Sequence, residues 1–178
     1  MRCTEDELKR KISNKFVLLD TGIIIRAFEH FEDFKGFFNL LETTNCHPVY
    51  FPFIEFEFLR GAYEPEHRSA RREFLHTIPL DELPVPREEI LDDAIRLANI
   101  YSNHKLHSAK LVDCCIAAYL MKHTSNLFLV TLNHKDFPTF VFDRIFIYPV
   151  DTDNEVFPIG FYQLNVEKTE NELKKLSY

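Results

Sequence analysis

Several carboxylates of this chain stand where carboxylates are costly. Asp20 closes the apolar run FVLLD, and Glu55 and Glu57 interrupt FPFIEFEFLRG. Asp113 lies inside SAKLVDCCIAAYL, and Asp136 follows LFLVT in LFLVTLNHKDF, past Thr131 and Asn133. An unpaired charge among apolar neighbours is unfavourable, and carboxylates drawn from four segments to one place cannot all stay ionised without a cation. An oxygen-seeking divalent ion, Mg2+ or Mn2+, suits such a donor set. The chemistry this predicts is metal-assisted hydrolysis, in which the ion lowers the pKa of water and offsets charge on the substrate.

Two other readings start from Asp-Thr-Gly at 20–22. An aspartic protease needs two such loops whose carboxyls share a proton, and the chain has one copy, followed by almost twenty residues patterned as helix. A phosphatase of the haloacid dehalogenase type needs a second Asp two residues on, where Gly22 stands.

The elements that must position these acids follow from periodicity. Phe16–Leu19 and Leu127–Thr131 are continuous apolar runs, which predict strands buried on both faces. Val49–Phe51, Ile145–Val150 and Phe157–Leu164 predict further extended segments. Helices are expected at 4–14 (Thr4 and Glu7 forming a capping box), in one or two pieces over 22–41, from Pro52 to Gly61, at 66–76, from Arg87 to about Tyr101, and after Ser108. The tail VEKTENELKKLSY shows no core face. Strands separated by helices predict a three-layer α/β/α sandwich with a mainly parallel sheet. In such sheets ligands gather beyond the carboxyl ends of strands, where Asp20, Thr131, Asn133 and Asp136 fall. The expected division is a domain over 1–150 with a C-terminal extension, 151–178, packing on or trailing from it.

At 178 residues, 46% apolar and 28% charged, the chain fits one globular core. Its formal charge of -7 gives no global attraction to nucleic acid and suits a basic protein partner. Four cysteines without a C-x-x-C pair read as reduced thiols rather than zinc ligands. The charged start MRCTEDELKRK and the lack of any long apolar run predict a cytoplasmic protein with no membrane partner.

The series LLDTGIII, FEFLRGA, LVDCCIAAYLMKH and LFLVTLNHKDF resembles the ordered motifs of PIN-domain ribonucleases, notably VapC-type toxins. The resemblance covers about Phe16 to Phe137 and implies a compact α/β/α fold with a metal-dependent RNA-cleaving site. It implies Asp20, Glu57 and Asp113 as metal ligands, Glu57 being favoured over Glu55 because it precedes Gly61 by four. Thr21 and Thr131 match hydroxyls that line the site. Where many relatives carry a fourth acid this chain has Asn133, and Asp136 is expected to compensate as a catalytic carboxylate. Cleavage leaving 5′-phosphate and 3′-hydroxyl ends is implied, with Asp136 or Glu57 orienting the water.

Plainer roles stand beside these. Asp20 can cap a helix, Asp113 can pair with Lys110, Glu57 with Arg60 or Arg26, and Asp136 can close a turn before Pro138. The basic stretch HRSARR reads first as a solvated helix face; Arg68 and Arg71, or Arg60 and Lys110, are the phosphate-contact alternatives. The expected function is a Mg2+- or Mn2+-dependent endoribonuclease acting on RNA, in its most specific form the toxin of a toxin–antitoxin pair, with a small basic antitoxin or a second copy of the chain (a homodimer) as candidate protein partners. The alternatives are a PIN-like module that binds RNA or protein without cutting, and a nuclease of nucleic-acid processing outside such a pair.

Overall fold

The computed structural model describes residues 4–49, 51–81, 83, 87–105 (Arg87 by its backbone) and 110–176. Along the chain run α1 (Glu5–Ile12), β1 (Phe16–Leu19), α2 (Thr21–Glu29), α3 (Phe31–Thr43), β2 (His47–Val49), α4 (Pro52–Arg60), α5 (Pro65–Thr77) and α6 (Arg87–Asn103). Then follow α7 (Leu111–Lys122), β3 (Leu127–Thr131), β4 (Phe142–Asp151), β5 (Val156–Leu164) and α8 (Val166–Leu176).

The five strands form one sheet in the order β2-β1-β3-β5-β4. FVLL and LFLVT are its central strands, and every residue of β3 is buried. They pair in parallel, Leu18 beside Leu129 and Leu19 beside Val130, and β1 pairs in parallel with β2. β5 runs antiparallel to both β3 and β4. The sheet is therefore mixed, which corrects the expectation of a mainly parallel one. The cause is chain length: parallel neighbours need a crossover of a dozen or more residues. Only residues 152–155 join β4 to β5, in a turn closed by the Thr152 N–H donating to the Glu155 carbonyl at 2.9 Å.

Helices cover both faces, giving a three-layer α/β/α sandwich. On one face α2 packs on β3 and α3 on β4, with α4 beside α2 and α5 beyond α4. On the other, α7 packs on β3 and β5, α6 on α7, and α8 on α6. Aromatic rings fill the first face: Phe37 meets Phe161 and Tyr148, and Phe34 meets Phe157. α7 is buried over Asp113–Leu120, which fits its apolar sequence LVDCCIAAYL.

Residues 151–178 supply an interior strand, β5, and α8. The tail that read as faceless is helical, with Thr169 and Glu172 buried. Glu172 accepts from Lys175 at 2.6 Å and meets His104 Nε2 at 2.7 Å. His104 in turn stacks on Phe140 at 3.9 Å, so this histidine ties α8 to the end of α6. Ser108, expected to cap α7, lies outside the described residues; the helix begins after Lys110. Cys46, Cys114 and Cys115 are buried free thiols. Among the described residues no helix is long and apolar enough to cross a membrane.

Candidate active site

The register of the central strands brings the first acid to its neighbour. With Leu19 opposite Val130, the next residues, Asp20 and Thr131, meet at the carboxyl edge. Thr131 Oγ1 donates to Asp20 Oδ2 at 2.6 Å, and the Asp20 N–H donates to the Val130 carbonyl at 2.9 Å. The chain leaving β1 turns towards β2, and the chain leaving β3 turns towards β5 and β4. Such a reversal opens a crevice where ligands of α/β sheets bind.

Asp20 is also the N-cap of α2, its Oδ1 accepting from the Thr21 N–H at 2.7 Å. The cap and the site are one arrangement, because Thr21 Oγ1 reaches across to donate to Glu57 Oε2 at 2.9 Å. That contact links Glu57 of α4 to Asp20; Glu55, two residues earlier, is half-buried. On the other side, the Asn133 N–H donates to Thr131 Oγ1 at 2.9 Å, and the Asn133 amide donates to Asp136 Oδ2. A single network thus runs Glu57–Thr21–Asp20–Thr131–Asn133–Asp136. Asn133 stands where an acid was expected, and here it holds one.

Asp113 enters from the first turn of α7. Its Oδ2 accepts from the Lys110 N–H at 2.8 Å, as an acid three residues into a helix satisfies one of the orphan donors there. Asp20, Asp113 and Asp136 are each at most 9% exposed. Burial chiefly, and the charges of Glu57 and Asp136 besides, push the Asp20 carboxyl up; the bonds from Thr131 and Thr21 oppose the rise. Burial likewise lifts Asp113 to about 6, with the Lys110 bond opposing and Asp136, Asp20 and Glu57 adding to the rise. Asp20 thus feels the charges of Glu57 and Asp136, and Asp113 those of the other three acids, yet among the described residues no three His, Cys, Asp or Glu side chains are gathered closely enough to hold a metal ion.

The basic residues fall in two groups. Arg71 is turned inward: it donates to the Phe58 carbonyl, and its guanidinium lies over the Phe58 and Phe28 rings at 5.1 and 6.0 Å. Arg68 donates to the Ala62 carbonyl at 3.3 Å. Both fasten α5 to the end of α4. Arg60 and Lys110 are exposed at the ends of the helices that bear Glu57 and Asp113.

Sequence reasoning passed over Tyr101. Its ring is 1% exposed, its hydroxyl has no hydrogen-bond partner, and Asp113 and Asp136 are among the charges that, after burial, raise its pKa. A tyrosine among apolar positions of α6 gave no signal of this. Comparison with models of protein families, with curated proteins and with solved structures yielded no match.

Proposed function

We propose that this protein is a divalent-metal-dependent endoribonuclease of PIN-domain type. The observation that carries the reading is the hydrogen-bonded network joining Glu57, Asp20 and Asp136 through two threonines and Asn133, with Asp113 close enough for its charge to be felt. Purely structural acids have no need to be buried together, since each raises the cost of ionising the others. All four offer oxygen, the donor type Mg2+ and Mn2+ prefer. Asp20, Asp113 and Glu57 would hold the ion once drawn together from the wider spacing they have here, and the ion when bound would supply a Lewis acid that activates water and offsets phosphate charge.

The chain's own residues then divide the remaining work. Thr131 and Thr21 fix both oxygens of Asp20, so the carboxylate keeps one orientation. Asn133 holds Asp136 by its amide, and in this reading Asp136 accepts a proton from the water attacking an RNA phosphodiester in line with the 3′ oxygen. Arg60 and Lys110, exposed beside the acids, are the cations suited to hold flanking phosphates. The most specific form of the reading is a toxin held by a basic antitoxin, which the net charge of -7 favours.

One observation favours a second reading, a PIN-like module that binds RNA or protein without cutting: the absence of a metal-spaced triad among the described residues. Cleavage of mixed RNA and of matched DNA, titrated with Mg2+ and Mn2+, separates the two. The nuclease reading expects RNA cleavage that needs metal and is lost in Asp113→Asn. Binding without cleavage at any metal concentration supports the module instead.

A further inference from the structure

Directly beside the acids lies a cleft of about 490 Å³, within the range of small-ligand sites. Among its lining residues are Gly22, one residue past Thr21, and Leu132, one residue past Thr131, so the cleft adjoins the chain just past Asp20's two threonine partners. A Cβ placed on Gly22 meets no atom within 4 Å. The glycine is therefore required neither by packing nor by backbone conformation, and the space above it is open.

The walls say what would fit. Arg26 stands over the Phe157 ring at 5.3 Å and pairs with Glu29 at 2.8 Å, while 42% of its side chain stays exposed. A guanidinium plane supported in this way is a surface on which a nucleobase stacks. The remaining charges are the carboxylates Glu29 and Glu155, so the cleft carries two negative groups against one positive. Such walls repel phosphate but accept hydrogen bonds from base edges. The turn fixes the backbone of Glu155, its N–H donating to Thr152 Oγ1 at 3.2 Å and its carbonyl accepting from the same hydroxyl at 2.9 Å, and its exposed carboxylate lines the cleft.

We infer that this cleft receives the unpaired base next to the scissile phosphate, stacked on Arg26 and read by Glu155, with guanine preferred. Guanine alone offers two adjacent donors, N1–H and the N2 amino group, which match the two oxygens of a carboxylate. A base stacked on Arg26 must be unpaired from its complement, which requires single-stranded RNA. The inference rests on the nuclease reading of the acids and adds what lies beside the bond they cut.

The test pairs binding with cleavage. Single-stranded RNA octamers containing one guanine or none, and a duplex control, are bound to wild type, Gly22→Phe and Glu155→Gln by fluorescence anisotropy, and cleaved with Mn2+. Gly22→Phe fills the cleft and is expected to weaken single-strand binding at least about tenfold and raise KM. Glu155→Gln is expected to reduce a guanine preference of about tenfold, the size of one good paired contact, to under about twofold. Undiminished binding and cleavage by Gly22→Phe, equal use of duplex, or no guanine preference in wild type overturns the inference and leaves the nuclease reading intact. A wild type that cuts nothing, yet binds single strands in a Gly22→Phe-sensitive way, overturns the nuclease reading and leaves the cleft.

Discussion

Replacing Asp113 with Asn should stabilise the metal-free protein while removing its response to metal. A carboxyl moved from its ordinary 3.8 to about 6 disfavours its ionised form by about 3 kcal/mol, and screening by nearby solvent lowers the usable figure to roughly 1–2 kcal/mol. The sign is fixed by linkage. Between about pH 4 and 6 the folded protein retains a proton that the unfolded chain has released, so this group makes stability fall as pH rises through that window. Asn is neutral at every pH and can still accept from the Lys110 N–H, the bond Asp113 makes at 2.8 Å. Wild type and variant should melt together near pH 4, and the variant should melt higher above pH 6.5. For a chain of this size, 1–2 kcal/mol corresponds to roughly 3–6 °C. Adding Mn2+ at a hundred times its dissociation constant should stabilise wild type by about 2.7 kcal/mol and the variant far less. Differential scanning calorimetry over pH 4–8, with and without Mn2+, reads both effects. A variant no more stable than wild type at pH 7.5, or a gap independent of pH, would refute the argument that Asp113 is a strained acid awaiting a cation.

Other substitutions separate site from scaffold. Thr131→Val removes the donor to Asp20 and the acceptor for the Asn133 N–H at a fully buried position; urea denaturation should show a loss of about 1–3 kcal/mol, with cleavage falling further than stability explains. Tyr101→Phe deletes a buried hydroxyl that has no partner and should leave the metal-free protein as stable or about 1 kcal/mol more so; a marked loss in the same melt would mean that the hydroxyl is occupied. Arg71→Met gives up a carbonyl bond and two ring contacts, costing about 1–2 kcal/mol, while the rate per folded molecule stays at the wild-type value in a cleavage assay.

What the sequence revealed and what it hid divide along physical lines. Continuous apolar runs announced β1 and β3, and Thr4 with Glu7 announced the capping box that the structure contains, Thr4 Oγ1 accepting from the Glu7 N–H at 3.3 Å. The run from Gly22 to Leu41 resolves into α2 and α3, broken at His30. The mixed sheet was hidden because β4 and β5 look like any other strands; only the short 152–155 connection distinguishes a hairpin from a crossover. The tail was hidden because α8 buries Thr169 and Glu172 rather than an apolar stripe. The acids Asp20, Glu57 and Asp136 are tied into one network by contacts of 36 and 111 residues' separation, which no local pattern encodes. Asn133 is the clearest instance: by type it looked like a lost acid, and only the structure shows its amide donating to Asp136.

The central claim is that buried acids at the β1–β3 switch point form one divalent-metal site that cuts RNA. Asp20→Asn tests it most directly, because Asn is as good a helix cap as Asp and so preserves α2. With Mn2+ and mixed RNAs, single-turnover rates should fall at least about a hundredfold in the variant, a loss of about 2.7 kcal/mol of transition-state stabilisation, and wild-type products should carry 5′-phosphates. A folded Asp20→Asn protein that cleaves at the wild-type rate, or wild-type cleavage that persists in excess chelator, would contradict the account.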